Sequence, residues 1–144
     1  MSIPASQSDS WAFVDTGAYF ALAFDGDEDH AEAIAISQRL AREHRHLVTT
    51  NFVLAETHAL LLNRVNRAVA LRVLLSILNS NTRIVRISQS DEAMARDILI
   101  RYQDKNYSLT DATSFMVMQR LGIQAAFAFD RHFSQHGFTI LRTR

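Results

Sequence analysis

The chain has 144 residues, enough for one domain around a single buried core. Its 15 basic residues balance 15 acidic ones, so no global field draws it to nucleic acid and any such contact has to come from a local patch. The absence of cysteine excludes a disulfide framework, a thiolate zinc site and a cysteine nucleophile.

Residues 1–10 are polar and lack the basic and apolar regions of a signal peptide, so they read as a flexible arm ahead of one domain over 11–144. No apolar run approaches the roughly 20 residues that a membrane span needs, and the expectation is a cytoplasmic protein. Trp11 to Val14 is a short apolar run and reads as a buried strand ended by Asp15. Gly17 to Phe24 is a brief apolar helix, closed by an acidic loop over 25–29. In 30–44, Ala33, Ile36 and Leu40 recur at helical spacing, the pattern of an amphipathic surface helix. Leu47 to Thr49 is a second strand. Thr50 or Asn51 is a fair cap for a helix to about Arg64, and a second helix over 66–79 makes a hairpin with it.

Arg83 to Ile87 is β-branched and short, hence a third strand; a helix follows from Asp91 to about Asp104. Ser108 opens a markedly apolar helix that Gly122 stops. Ala125 to Phe129 is a buried strand ending at Asp130, Arg131 to Gln135 a turn, and Phe138 to Leu141 a last strand. Strands alternating with helices of ten or more residues predict an α/β fold with a mainly parallel sheet of four or five short strands in a three-layer sandwich.

Asp15, Glu56, Asp111 and Asp130 sit where strand-like pattern gives way to helix-like pattern. In such a fold these positions converge on the crevice beyond the carboxyl ends of the strands. Gathered carboxylates repel one another, and a hard divalent cation, Mg²⁺ or Mn²⁺, is the natural compensation. Each acid also has a purely structural reading. Asp15 could cap a helix, Asp130 could end a strand, and Ser108-Leu-Thr-Asp111 fits a capping box. Glu56 has Phe52, Val53, Ala59 and Leu60 as its helical neighbours, an awkward stripe for an unpaired charge unless its edge is solvated. The histidines, including His132 and His136, read as surface or internally satisfied side chains. A receiver-like domain would want an acidic pair after the first strand and a late lysine. Here Asp15 stands alone, and Lys105, the only lysine, lies in a loop.

Four motifs in order, Phe13-Val-Asp15-Thr16, Asn51-Phe-Val-Leu-Ala-Glu56, Leu109-Thr-Asp111-Ala112 and Ala128-Phe-Asp130-Arg-His-Phe133, resemble those of PIN domains, and most of all the VapC-like toxin ribonucleases. The resemblance spans nearly the whole chain. It implies a metal-dependent endoribonuclease with one or two Mg²⁺ or Mn²⁺ ions, and Asp15, Glu56, Asp111 and Asp130 as catalytic metal ligands or their support. It also implies an antitoxin partner and a homodimer; a housekeeping RNA-processing nuclease and a non-catalytic PIN-like module are the alternatives. Some members carry a further acid where this chain has Ser114. Thr16, Ser114 and Arg131 stand beside the acids as candidates for orienting phosphate or water. The helices over 51–80 are rich in Leu, Val and Ile, which predicts an apolar groove rimmed by Arg64, Arg67 and Arg72 for a partner helix.

Overall fold

The computed structural model describes residues 10–143. All but Ser10 of the arm expected over 1–10 therefore lies outside the described residues. Five strands form one sheet in the order β3-β2-β1-β4-β5, and every pairing is parallel. They are β1 (Trp11–Val14), β2 (His46–Thr50), β3 (Arg83–Val85), β4 (Ala125–Phe127) and β5 (Thr139–Ile140). Seven helices join them: α1 (Thr16–Ala23), α2 (His30–Arg42), α3 (Asn51–Arg64), α4 (Arg67–Leu78), α5 (Gln89–Arg101), α6 (Leu109–Leu121) and α7 (His132–Gln135). This is the α/β/α sandwich that the alternation of pattern predicts.

β1 is central and reads as an unbroken apolar run because neither of its faces meets water: Ala12, Phe13 and Val14 are buried. From β1 the chain moves outward through β2 to β3, then returns to the other side of β1 as β4. The reversal puts a switch point between β1 and β4, the place where such sheets open a crevice. Phe13, Val48, Phe115, Phe127 and Phe133 belong to the one large apolar cluster around the sheet. A smaller cluster of Phe20, Leu61 and Ala70 joins α1 to the α3–α4 hairpin.

Local chemistry sets the element ends. Thr50 caps α3 by accepting from the Val53 amide, and Asn66 caps α4 by accepting from the Val69 amide. α6 is buried along most of its length, Ala112 to Met118, and ends at Gly122 with φ 71°, a left-handed turn that glycine adopts without steric cost.

Several boundaries differ from the sequence expectation. β3 and β4 stop at Val85 and Phe127, shorter than the apolar runs that contain them. α5 begins at Gln89 because Ser88 is its cap, which places Asp91 inside the first turn. The expected turn over 131–135 is a single turn of helix, α7, whose Phe133 is fully buried against Phe115 and Phe13.

Candidate active site

Asp15 is pinned from both sides of the sheet. The Val14 carbonyl accepts from the Thr49 hydroxyl on β2 at 2.8 Å, and the Asp15 amide donates to the Phe127 carbonyl on β4 at 3.0 Å. The residue occupies the capping position of α1, yet its side chain makes no capping hydrogen bond. The helix-cap reading therefore does not account for it. Its carboxyl group is buried, and Oδ1 has no hydrogen-bond partner. Burial above all, then the charge of Asp111, with smaller pushes from Glu56 and Asp130, raises its pKa from 3.8 to about 7. Next to it the Thr16 hydroxyl is also buried without a partner.

Asp111 comes from the first turn of α6. Its backbone amide donates to Ser108 Oγ at 3.0 Å, and its Oδ2 accepts from the Ser108 amide at 3.0 Å, a full capping box. The same Oδ2 lies 3.1 Å from His132 Nδ1. Asp130 follows β4 by a short coil; its Oδ1 accepts from the His132 amide at 2.9 Å, and its Oδ2 lies 3.3 Å from His132 Nδ1. Asp111, Asp130 and His132 can each offer one ligand atom, all within 4.8 Å of one another.

The structure thus brings Asp15, Asp111 and Asp130 to the switch point, with the charge of Glu56 close enough to act on Asp15. One expectation changes, and another gains its partners. Glu56 is exposed rather than held on an apolar stripe, because Val53 and Thr57 take the inward face of α3 and turn Glu56 out. No burial penalty therefore argues for a cation at Glu56. His132, expected to be a surface or satisfied side chain, is satisfied, but by the acids of the site itself: it is half-buried among them, and α7 turns its ring towards Asp111. The signal was its place two residues after Asp130, but a turn assigned to that segment hid the direction of the ring.

The remaining candidates separate. Ser114 is fully buried and its hydroxyl donates to the Thr110 carbonyl at 2.9 Å, a bond within its own helix. Arg131 is exposed at the start of α7. His136 is satisfied as expected: it stacks on Phe115 at 4.6 Å between centroids and meets the Tyr107 hydroxyl at 3.2 Å. Burial, with a lesser push from Arg101, lowers its pKa.

The donor set fits a hard divalent cation. Carboxylates from three elements act on one another there, and the buried, unpartnered oxygen on Asp15 is a group that a cation would satisfy. Residues 12–139 match the model of the PIN domain family. The chain belongs to the PIN domain family. Within it, this PIN domain is 38% identical over 131 residues to the "23S rRNA-specific endonuclease VapC20" of Mycobacterium tuberculosis (strain CDC 1551 / Oshkosh), an alignment covering 90% of this chain and 97% of the relative. The protein of that name from strain ATCC 25618 / H37Rv matches with the same figures. The crystal structure of M. tuberculosis VapC20, described as a Sarcin-Ricin loop cleaving toxin, superposes on this PIN fold with a TM-score of 0.84 at 36% identity. It covers 91% of this chain and 98% of that one.

Proposed function

We propose that the protein is a metal-dependent endoribonuclease and the toxin of a toxin–antitoxin pair. The observation that carries the reading is Asp15: a buried carboxyl group with an unpartnered oxygen, surrounded by the charges of Asp111, Glu56 and Asp130. With Mg²⁺ or Mn²⁺ bound, the crevice gains charge neutralisation for an incoming phosphodiester and a polarised water. Asp15, Asp111 and Asp130 would hold the ion, with Glu56 at the rim adding negative charge. Asp111 and Asp130, fixed by their backbone hydrogen bonds, would orient the attacking water and receive its proton. Thr16 Oγ would take a phosphate or water oxygen, and Arg131 would meet the RNA backbone at the surface.

The extent of the similarity to VapC20 supports 23S rRNA as the substrate, and the sarcin–ricin loop as the place of cleavage. The test is incubation of the purified protein with an RNA hairpin carrying that loop and with a scrambled hairpin, in Mn²⁺ and in EDTA. Cleavage of the first alone, abolished by EDTA and reduced about a hundredfold or more by Asp15→Asn, supports the reading. Equal cleavage by Asp15→Asn after removal of contaminating nuclease would sink it.

Among the described residues no helix is long and apolar enough to cross a membrane. We place the protein in the cytoplasm, where its substrate lies. A cavity of about 430 Å³ between α1 and α4, lined by Tyr19, Leu22, Val73 and Ile77 with Arg72 at its edge, supports an antitoxin helix as partner. Of the three arginines expected at the rim, Arg72 alone lines that cavity; Arg64 lies over the Phe20 ring instead. Exposed Leu62, Leu71, Leu75 and Leu78 on α3 and α4 support a homodimer.

A further inference from the structure

Among the described residues, His132 is the nitrogen donor in the cluster with Asp111 and Asp130. Its ring is not loosely placed. Tyr107 packs edge-on against it with centroids 5.3 Å apart, and Tyr107 immediately precedes Ser108, the cap that sets Asp111. The segment that orients the Asp111 carboxylate therefore also builds the wall behind the His132 ring. Below, the His132 amide donates to Asp130 Oδ1, so main chain and side chain of His132 meet opposite oxygens of one carboxylate.

A single atom, Nδ1, stands 3.1 Å from Asp111 Oδ2 and 3.3 Å from Asp130 Oδ2. The first contact has the geometry of a hydrogen bond, and the second carboxylate stands almost as near. The two spacings also suit ligands of one ion, since neighbouring donors about 2.1 Å from an octahedral cation lie about 3 Å apart, and the three donor atoms lie within 4.8 Å of one another. Asp15, with its buried and unpartnered Oδ1, points independently to a positive charge at the same crevice.

We propose that His132 gives an imidazole nitrogen to the cation held by Asp111 and Asp130, so that the site has a mixed nitrogen and oxygen donor set. This rests on the metal-dependent reading above and adds a ligand of different chemistry. Nitrogen donors favour transition-metal ions over Mg²⁺, so the site should prefer Mn²⁺ to Mg²⁺ through His132.

The test reads the metal and not the reaction. Pulsed electron paramagnetic resonance of the wild-type protein with one equivalent of Mn²⁺ should show coupling to a histidine nitrogen, and His132→Asn should abolish that coupling. In calorimetric titration, His132→Asn should weaken Mn²⁺ at least about tenfold and Mg²⁺ by less. His132→Asp should restore much of the affinity without restoring the nitrogen signal. Wild-type protein that binds Mn²⁺ with no nitrogen coupling overturns the proposal and leaves the nuclease reading standing. Coupling that persists in His132→Asn overturns it too, by assigning the nitrogen elsewhere. Failure of the wild type to bind Mn²⁺ at all overturns both.

Discussion

Near neutral pH and without a cation, the Asp15 carboxyl group is close to half protonated, since its pKa stands at about 7 against 3.8 for an exposed aspartate. Below 3.8 folded and unfolded chains both hold the proton, and the full stability is present. Between 3.8 and about 7 the unfolded chain ionises first, so metal-free stability falls with rising pH by about 1.4 kcal/mol per unit, and by about 4 kcal/mol in all. Asp15→Asn removes this slope. In chelator, the variant should melt no lower than wild type at pH 5 and clearly higher at pH 8, as thermal scans at the two pH values will show. Glu56 behaves differently because it is exposed. Glu56→Gln should leave stability within about 0.5 kcal/mol and still weaken Mn²⁺ binding, by removing one charge from the field at Asp15. Unchanged Mn²⁺ affinity by calorimetry would return Glu56 to the solvated surface.

α5 and α6 begin with the same device. Ser88 and Asp91 form one capping box, Ser108 and Asp111 the other, with matching hydrogen bonds of 3.0–3.1 Å. What distinguishes them is the third partner. Asp91 meets Arg120 of α6 at 2.6 Å; although burial pushes its pKa up, the Ser88 amide and Arg120 outweigh that and hold it low. Asp111 meets a histidine and other acids. Ser88→Ala and Ser108→Ala should each cost about 1 kcal/mol in denaturant unfolding. Only Ser108→Ala should slow RNA cleavage, because Ser108 is a positioning residue for Asp111. These twin motifs also show what a sequence can and cannot reveal. The local pattern Ser-x-x-Asp was readable in both, but the partner that gives each its role lies 21 or 29 residues away across the fold. Glu56 failed in another way. Its helix was legible, but the inward face of a helix on a mostly apolar sequence is set by what packs against it.

For the molecule as a whole, strand alternation fixed the layers, and the acids at pattern breaks marked the crevice. His132 stayed hidden because one short turn of helix decides where its ring goes. If a cation completes the crevice, it binds the folded chain and not the unfolded one. At one hundred times its dissociation constant it should then add about 2.7 kcal/mol of stability. For a chain of this size that is a rise of roughly 8 °C in Tm, reversible by EDTA and absent in Asp111→Asn. Equal melting with and without Mn²⁺ would contradict the metal site.

The sheet order carries one further consequence. Phe13 on β1 pairs with Ala126 on β4, and Asp15 is held by Phe127. Ribosomes deliver chains from the amino terminus, so β1 emerges first and waits for β4, a neighbour made more than a hundred residues later. Until that strand arrives, Asp15 has neither its final backbone support nor Asp130 beside it. A growing chain of this topology carries Asp15 through more than a hundred residues of translation without a complete centre. If the finished enzyme cuts ribosomal RNA, a partial chain that stops short of β4 cannot.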